Sequence, residues 1–139
     1  MLSVGGFLER EAGNPREARA LYERAAEWYR RAGDSVAGQR CAVTIARCDL
    51  DIAGALATQR CFAEATERYE SARAVFAVAG EDEQSAHCDL GWAKVGYARG
   101  AFAAARERFA RARMTFARVG NADGVVLVDE LVRRLFAGE

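Results

Sequence analysis

The chain has 139 residues, 51% of them hydrophobic and 29% charged, with 20 basic against 20 acidic side chains. That composition excludes a disordered tail, and the length supports one domain with a real core. The zero net charge argues against a general nucleic-acid binder, which carries a basic excess.

The patterning predicts seven helices. The first, over about 2–12, carries Leu2, Val4, Phe7 and Leu8. The second, over 16–32, is opened by Pro15 and stopped by Gly33. A long third helix is expected over 35–58 and a fourth over 63–79, ending at Gly80. The fifth, over 82–98, begins with Glu81-Asp82-Glu83, and negative charge is favoured there by the helix dipole, a simpler account than a metal site. The sixth, over 102–119, ends at Gly120, and the seventh covers 122–137.

Lys94 is the only lysine, and the weight of Ala, Arg and Gly suggests a GC-rich bacterial genome. The apolar run Val125–Val128 is far too short to span a bilayer. Met1-Leu2-Ser3-Val4 lacks the basic-then-apolar order of a secretory signal, so a cytoplasmic protein without membrane contact is expected. Cys41, Cys48, Cys61 and Cys88 lie in apolar helical patterns and are expected to be buried free thiols. They include no close C-x-x-C pair, so no zinc site is expected.

An internal repeat organises these elements. Four columns recur: Ala18, Ala65, Ala105; Tyr22, Tyr69, Phe109; Ala25, Ala72, Ala112; and Tyr29, Phe76, Phe116. Steps of four, three and four put them on one helical face, where alternating large and small side chains let a neighbouring helix interlock. The intervening helices repeat as well, since Cys48-Asp49-Leu50-Asp51-Ile52-Ala53 aligns with Cys88-Asp89-Leu90-Gly91-Trp92-Ala93. The period is forty residues between the second and third units and forty-seven between the first and second. The additional seven residues fall near Ser35–Cys41, about two helical turns, and are expected to extend one helix at its start.

In these columns, and in turns such as Gly100-Ala101-Phe102-Ala103-Ala104-Ala105, the chain resembles the tetratricopeptide repeat family in its longer, roughly forty-residue bacterial form. The small-residue site of the first helix of each pair reads Gly6, Ala53 and Ala93, while the following aromatic site is unmatched, reading Glu9, Leu56 and Gly96. The resemblance implies an all-α fold, an α-solenoid of three antiparallel helix pairs plus a C-terminal helix. Its repeats would cover about 1–33, 34–80 and 81–120, with the last helix in 121–139.

The resemblance also implies a concave groove that holds a peptide or partner helix. By register its lining would include Ser3, Phe7 and Arg10, then Arg47, Leu50 and Gly54, then His87, Leu90, Lys94 and Tyr97, then Leu127, Glu130 and Arg134. Arg10, Arg47, Lys94 and Arg134 would make it basic with apolar patches, suited to an acidic or carboxylate-terminated peptide. Solvated charge on an ordinary surface is the competing reading.

Three further readings stand beside this one. Similar arrays occur in larger bacterial signalling and transcription proteins, which implies a regulatory or sensory role. The helix at 102–119 bears Arg106, Arg108, Arg111, Arg113 and Arg118 with only Glu107 as counter-charge, which raises a nucleic-acid contact as the less favoured alternative. The apolar content of the first and last helices raises a homodimer through the terminal helices. No enzyme activity and no cofactor are expected, because the single histidine, His87, has no convergent acid–base partners and Cys88 beside it occupies a packing position.

Overall fold

Five short turns set the path of the chain, and all are built alike. In the computed structural model, which describes residues 14–137, they join α1 (Pro15–Arg31), α2 (Ser35–Thr58), α3 (Phe62–Ala79), α4 (Asp82–Ala98), α5 (Phe102–Arg118) and α6 (Ala122–Leu135). At each turn one residue takes a left-handed conformation: Gly33, Arg60, Gly80, Gly100 or Gly120. The next residue donates its N–H back to a carbonyl five positions earlier, as Asn121 does to Phe116 at 2.8 Å and Cys61 to Leu56 at 2.8 Å. That same residue is the N-cap of the following helix. Stop and start are thus fused, which forces consecutive helices into antiparallel hairpins.

The fold is all-helical, with helices packed in consecutive pairs as in an α-solenoid. Each helix contacts its neighbours in sequence, and α2 also reaches α4. Six of the seven expected helices are present with ends within two residues of expectation, and the one expected over 2–12 lies outside the described residues. No helix among the described residues is long and apolar enough to cross a membrane.

The repeated columns form the core. Ala18, Ala65 and Ala105, then Tyr22, Tyr69 and Phe109, then Ala25, Ala72 and Ala112 are all buried, as are Phe76 and Phe116, while Tyr29 is half-buried. The rings seat against small residues on the next helix. A Cβ at Gly91 would come within 2.4 Å of the Tyr69 ring, and one at Gly124 within 2.5 Å of Phe116. Glycine at these two places is therefore a packing requirement.

The long helix is α2, with 24 residues against 17 in α4. Its first two turns project past the ends of α3 and α4 but remain packed on α1. There Cys41 joins Tyr22 and Ala25, flanked by Tyr29 and Ile45.

Three expectations are corrected by this packing. Cys61 is not buried: it caps α3 in an exposed turn, while Cys41, Cys48 and Cys88 are buried. Leu90 does not line a groove, because it lies in the core with Ala86, Ala93 and Phe109. The last helix is less apolar on its open side than its composition suggested. Val125, Val128, Leu131, Val132, Leu135 and Phe136 turn toward the α4–α5 core, leaving only Val126 and Leu127 of that set exposed.

Candidate binding face

Charge inside the array is organised by a ladder of aspartates spaced forty residues apart: Asp49 on α2, Asp89 on α4 and Asp129 on α6. Asp49 accepts from Arg19 of α1 at 2.7 Å and from Arg68 of α3 at 2.6 Å. Asp89 accepts from Arg73 of α3 at 2.8 Å and from Arg108 of α5 at 3.1 Å. Each buried carboxylate thus ties the preceding and following helices to its own. Asp129 accepts from Arg113 of α5 at 2.7 Å, with no arginine from a following helix among the described residues. Side-chain exposure follows this pattern, at 7% for Asp49, 1% for Asp89 and 50% for Asp129. A buried charge needs such pairing, because desolvation otherwise outweighs what the fold gains.

The ladder corrects the reading of α5 as a helix with one counter-charge. Arg108 is held by Asp89, Arg111 by Glu107, Arg113 by Asp129 and Arg118 by Asp82 at 3.4 Å. Arg106 lies over the Phe136 ring at 4.0 Å, and Arg108 over Trp92 at 3.5 Å. Arginine on the odd-numbered helices is largely consumed by structure, including Arg30 and Arg31 on Glu27, whose carboxyl is held down at about 2, chiefly by its hydrogen bond from Arg30.

The even-numbered helices present a different surface. Arg47, His87 and Leu127 occupy equivalent positions on α2, α4 and α6, and Gly54, Lys94 and Arg134 form a second row. His87, Leu127, Lys94, Glu130 and Arg134 are exposed, and Arg47, Leu50 and Gly54 are half-buried. Lys94 and Arg134 meet no carboxylate among the described residues. Arg47 stands 3.9 Å from Glu81, beyond hydrogen-bond range, and its buried Nε has no acceptor. His87 packs edge-on against Phe116, with ring centroids 5.1 Å apart.

Apart from Leu90, the expected groove residues that fall within the described part are exposed or half-buried on α2, α4 and α6. Arg10 lies outside the described residues. Tyr97 departs from the expectation: its hydroxyl donates to the Leu135 carbonyl at 2.7 Å, and its ring meets Phe102 and Phe136. It fastens the end of α4 to the end of α6 and offers little to a ligand.

The cysteines show no reactive arrangement. Burial pushes the Cys88 thiol up from the usual 9.0 to about 12, with adjacent Asp89 adding to the effect. Cys41 is raised for the same first reason. No group of His, Cys, Asp and Glu with metal-binding geometry occurs among the described residues.

No protein-family model, curated protein or solved structure matches the chain.

Proposed function

We propose that this chain is a non-enzymatic protein-interaction module of the tetratricopeptide type, which holds an extended or helical segment of another polypeptide against α2, α4 and α6. The observation that carries the reading is the division of charge between the two helix sets. Arginines on α3 and α5 close the Asp49 and Asp89 clamps, whereas Lys94 and Arg134 stand exposed in one register row without an opposing carboxylate. Unpaired cations on a face with Leu50 and Leu127 suit a partner that brings carboxylates and apolar side chains together. The pairing of the α5 arginines favours a protein partner over nucleic acid, since a phosphate backbone would have to displace existing carboxylates.

The test is selection from a random dodecapeptide display library on the wild type and on Lys94→Glu and Arg134→Glu. Acid-bearing sequences should be enriched on the wild type and lost on both variants, while Arg111→Glu on the opposite side leaves the selection unchanged. Selected peptides that ignore both groove reversals, or failure to enrich any sequence, would overturn the groove.

A further inference from the structure

The two turns by which α2 outruns its neighbours create a notch that the repeat pattern does not contain. Its wall is the first half of α2, from the projecting Val36 to Arg47, and its floor is the α3–α4 turn at Ala79 and Glu81. The volume is about 500 Å³, room for several side chains of a bound segment. Along the wall run Val36, Arg40, Val43 and Arg47, in steps of four, three and four, so all four share one face. The stripe alternates apolar, cationic, apolar, cationic. Val36 is 62% exposed, although it sits beside a well-packed hairpin. Arg40 is exposed and meets no carboxylate among the described residues, and Arg47 keeps its buried Nε unbonded.

We infer that this notch docks an extended acidic segment of a partner protein in which apolar and carboxylate side chains alternate. The spacing supports an extended chain. Same-face residues of a strand lie about 6.6 Å apart, and successive members of the α2 stripe are separated by about 4.5–6 Å of helix rise. Apolar side chains of the segment rest on Val36 and Val43, and its carboxylates meet Arg40 and Arg47. Glu81 is the native competitor, because its carboxylate already faces Arg47 at 3.9 Å. The notch shares Arg47 with the groove proposed above but otherwise stands on its own residues.

The probe is a fluorescein-labelled peptide of sequence Ser-Leu-Ser-Glu-Ser-Leu-Ser-Glu-Ser, followed by fluorescence anisotropy, with a control in which both glutamates are lysine. The acidic probe should bind the wild type and the lysine control should not. Arg40→Glu should weaken binding at least about tenfold, equivalent to about 1.4 kcal/mol. Glu81→Gln should tighten it, and Arg111→Glu, on α5 and outside both surfaces, should leave it within about twofold. The gain expected of Glu81→Gln keeps the test decisive even if Arg40→Glu perturbs the hairpin. Absence of binding, equal binding of the lysine control, or loss with Lys94→Glu but not with Arg40→Glu would overturn the notch. The last result would leave the groove standing, whereas peptides selected in the library experiment that respond to Arg40→Glu alone would keep the notch and remove the groove.

Discussion

Replacing Asp89 by alanine removes the acceptor shared by Arg73 and Arg108 and should unlink α3, α4 and α5 together. Two charge-assisted hydrogen bonds are lost, each worth about 1.5–3 kcal/mol. Removing one member of a buried ion pair typically costs about 3–5 kcal/mol. The full cost does not apply, because the Arg73 and Arg108 side chains are 32% and 24% exposed and can turn toward water once released. Partial resolvation of both guanidiniums brings the expected destabilisation to about 2–3 kcal/mol. Asp89→Asn keeps the volume and one acceptor and should lose less. Equilibrium urea denaturation followed by circular dichroism measures both, with Asp129→Ala as the exposed counterpart and no measurable change expected there. A loss below about 0.5 kcal/mol for Asp89→Ala, the range of ordinary surface changes, would show that the clamp is not what joins the three helices.

Other consequences follow from single features of the packing. Gly124→Ala places a methyl group against the buried Phe116 ring, and overpacking should outweigh the better helix propensity for a net loss of about 1–2 kcal/mol in thermal or urea melts. Arg60 holds a left-handed conformation that glycine fills at the other four turns, so Arg60→Gly should stabilise the chain by up to about 1 kcal/mol, reduced by loss of its contact with the Phe62 ring. Titration with a thiol reagent at pH 8 should modify Cys61 quickly and the other three cysteines only on unfolding; rapid reaction of Cys88 would contradict its burial. Because the folded-state value of Cys88 is raised, its contribution to stability is complete below pH about 9 and fades as pH rises toward 12, measurable as a falling melting temperature that Cys88→Ala flattens.

The helices and the core were legible because they rest on one-dimensional signals. Ala65, Tyr69, Ala72 and Phe76 recur in register with Ala105, Phe109, Ala112 and Phe116, and all eight are buried. The positive-φ glycines likewise stand where helix stops were expected. The charge clamps were missed although a signal was present, since Asp49, Asp89 and Asp129 share a forty-residue spacing. A helical pattern read alone assigns an aspartate between core positions to solvent, and only the approach of arginines from two other helices makes it buried. The same blindness made α5 look like an uncompensated basic helix, because its counter-charges Asp89, Asp82 and Asp129 come from α4 and α6. Tyr97 was misplaced for a related reason: the register puts it near the groove, but the Leu135 carbonyl draws its hydroxyl toward the end of α6.

The seven-residue extension shows how the clamp and the binding surfaces are connected. In the hairpins ending at Asp89 and Asp129, the arginine of the preceding helix lies sixteen residues before its aspartate. In the hairpin ending at Asp49 the separation is thirty. Lengthening one arm of an antiparallel hairpin by seven residues moves the facing position seven residues further back on the other arm, which accounts for the difference of fourteen. Arg19 therefore stands two turns further from the turn than Arg73 does, and the carboxylate is still clamped. The partner from the following helix has not moved, at nineteen residues for both Arg68 and Arg108. An insertion of about two whole turns thus preserves both helix faces and both contacts of the aspartate, and its consequence is confined to the end of α2 that overhangs α3 and α4. At that overhang Val36 and Arg40 stand exposed, Val43 packs at its base against the cluster of Ala46, Ala72 and Phe76, and the surface they form has no counterpart on α4 or α6. The repeat sets the register of the proposed groove and the departure from it sets the proposed notch, so deleting residues 35–41 should leave the Asp89 clamp and the Arg68–Asp49 contact in place, bring Ala26 rather than Arg19 opposite Asp49, and remove the acidic-peptide response assigned to Arg40. Retention of that response in a folded deletion variant would show that the overhang is not a binding surface.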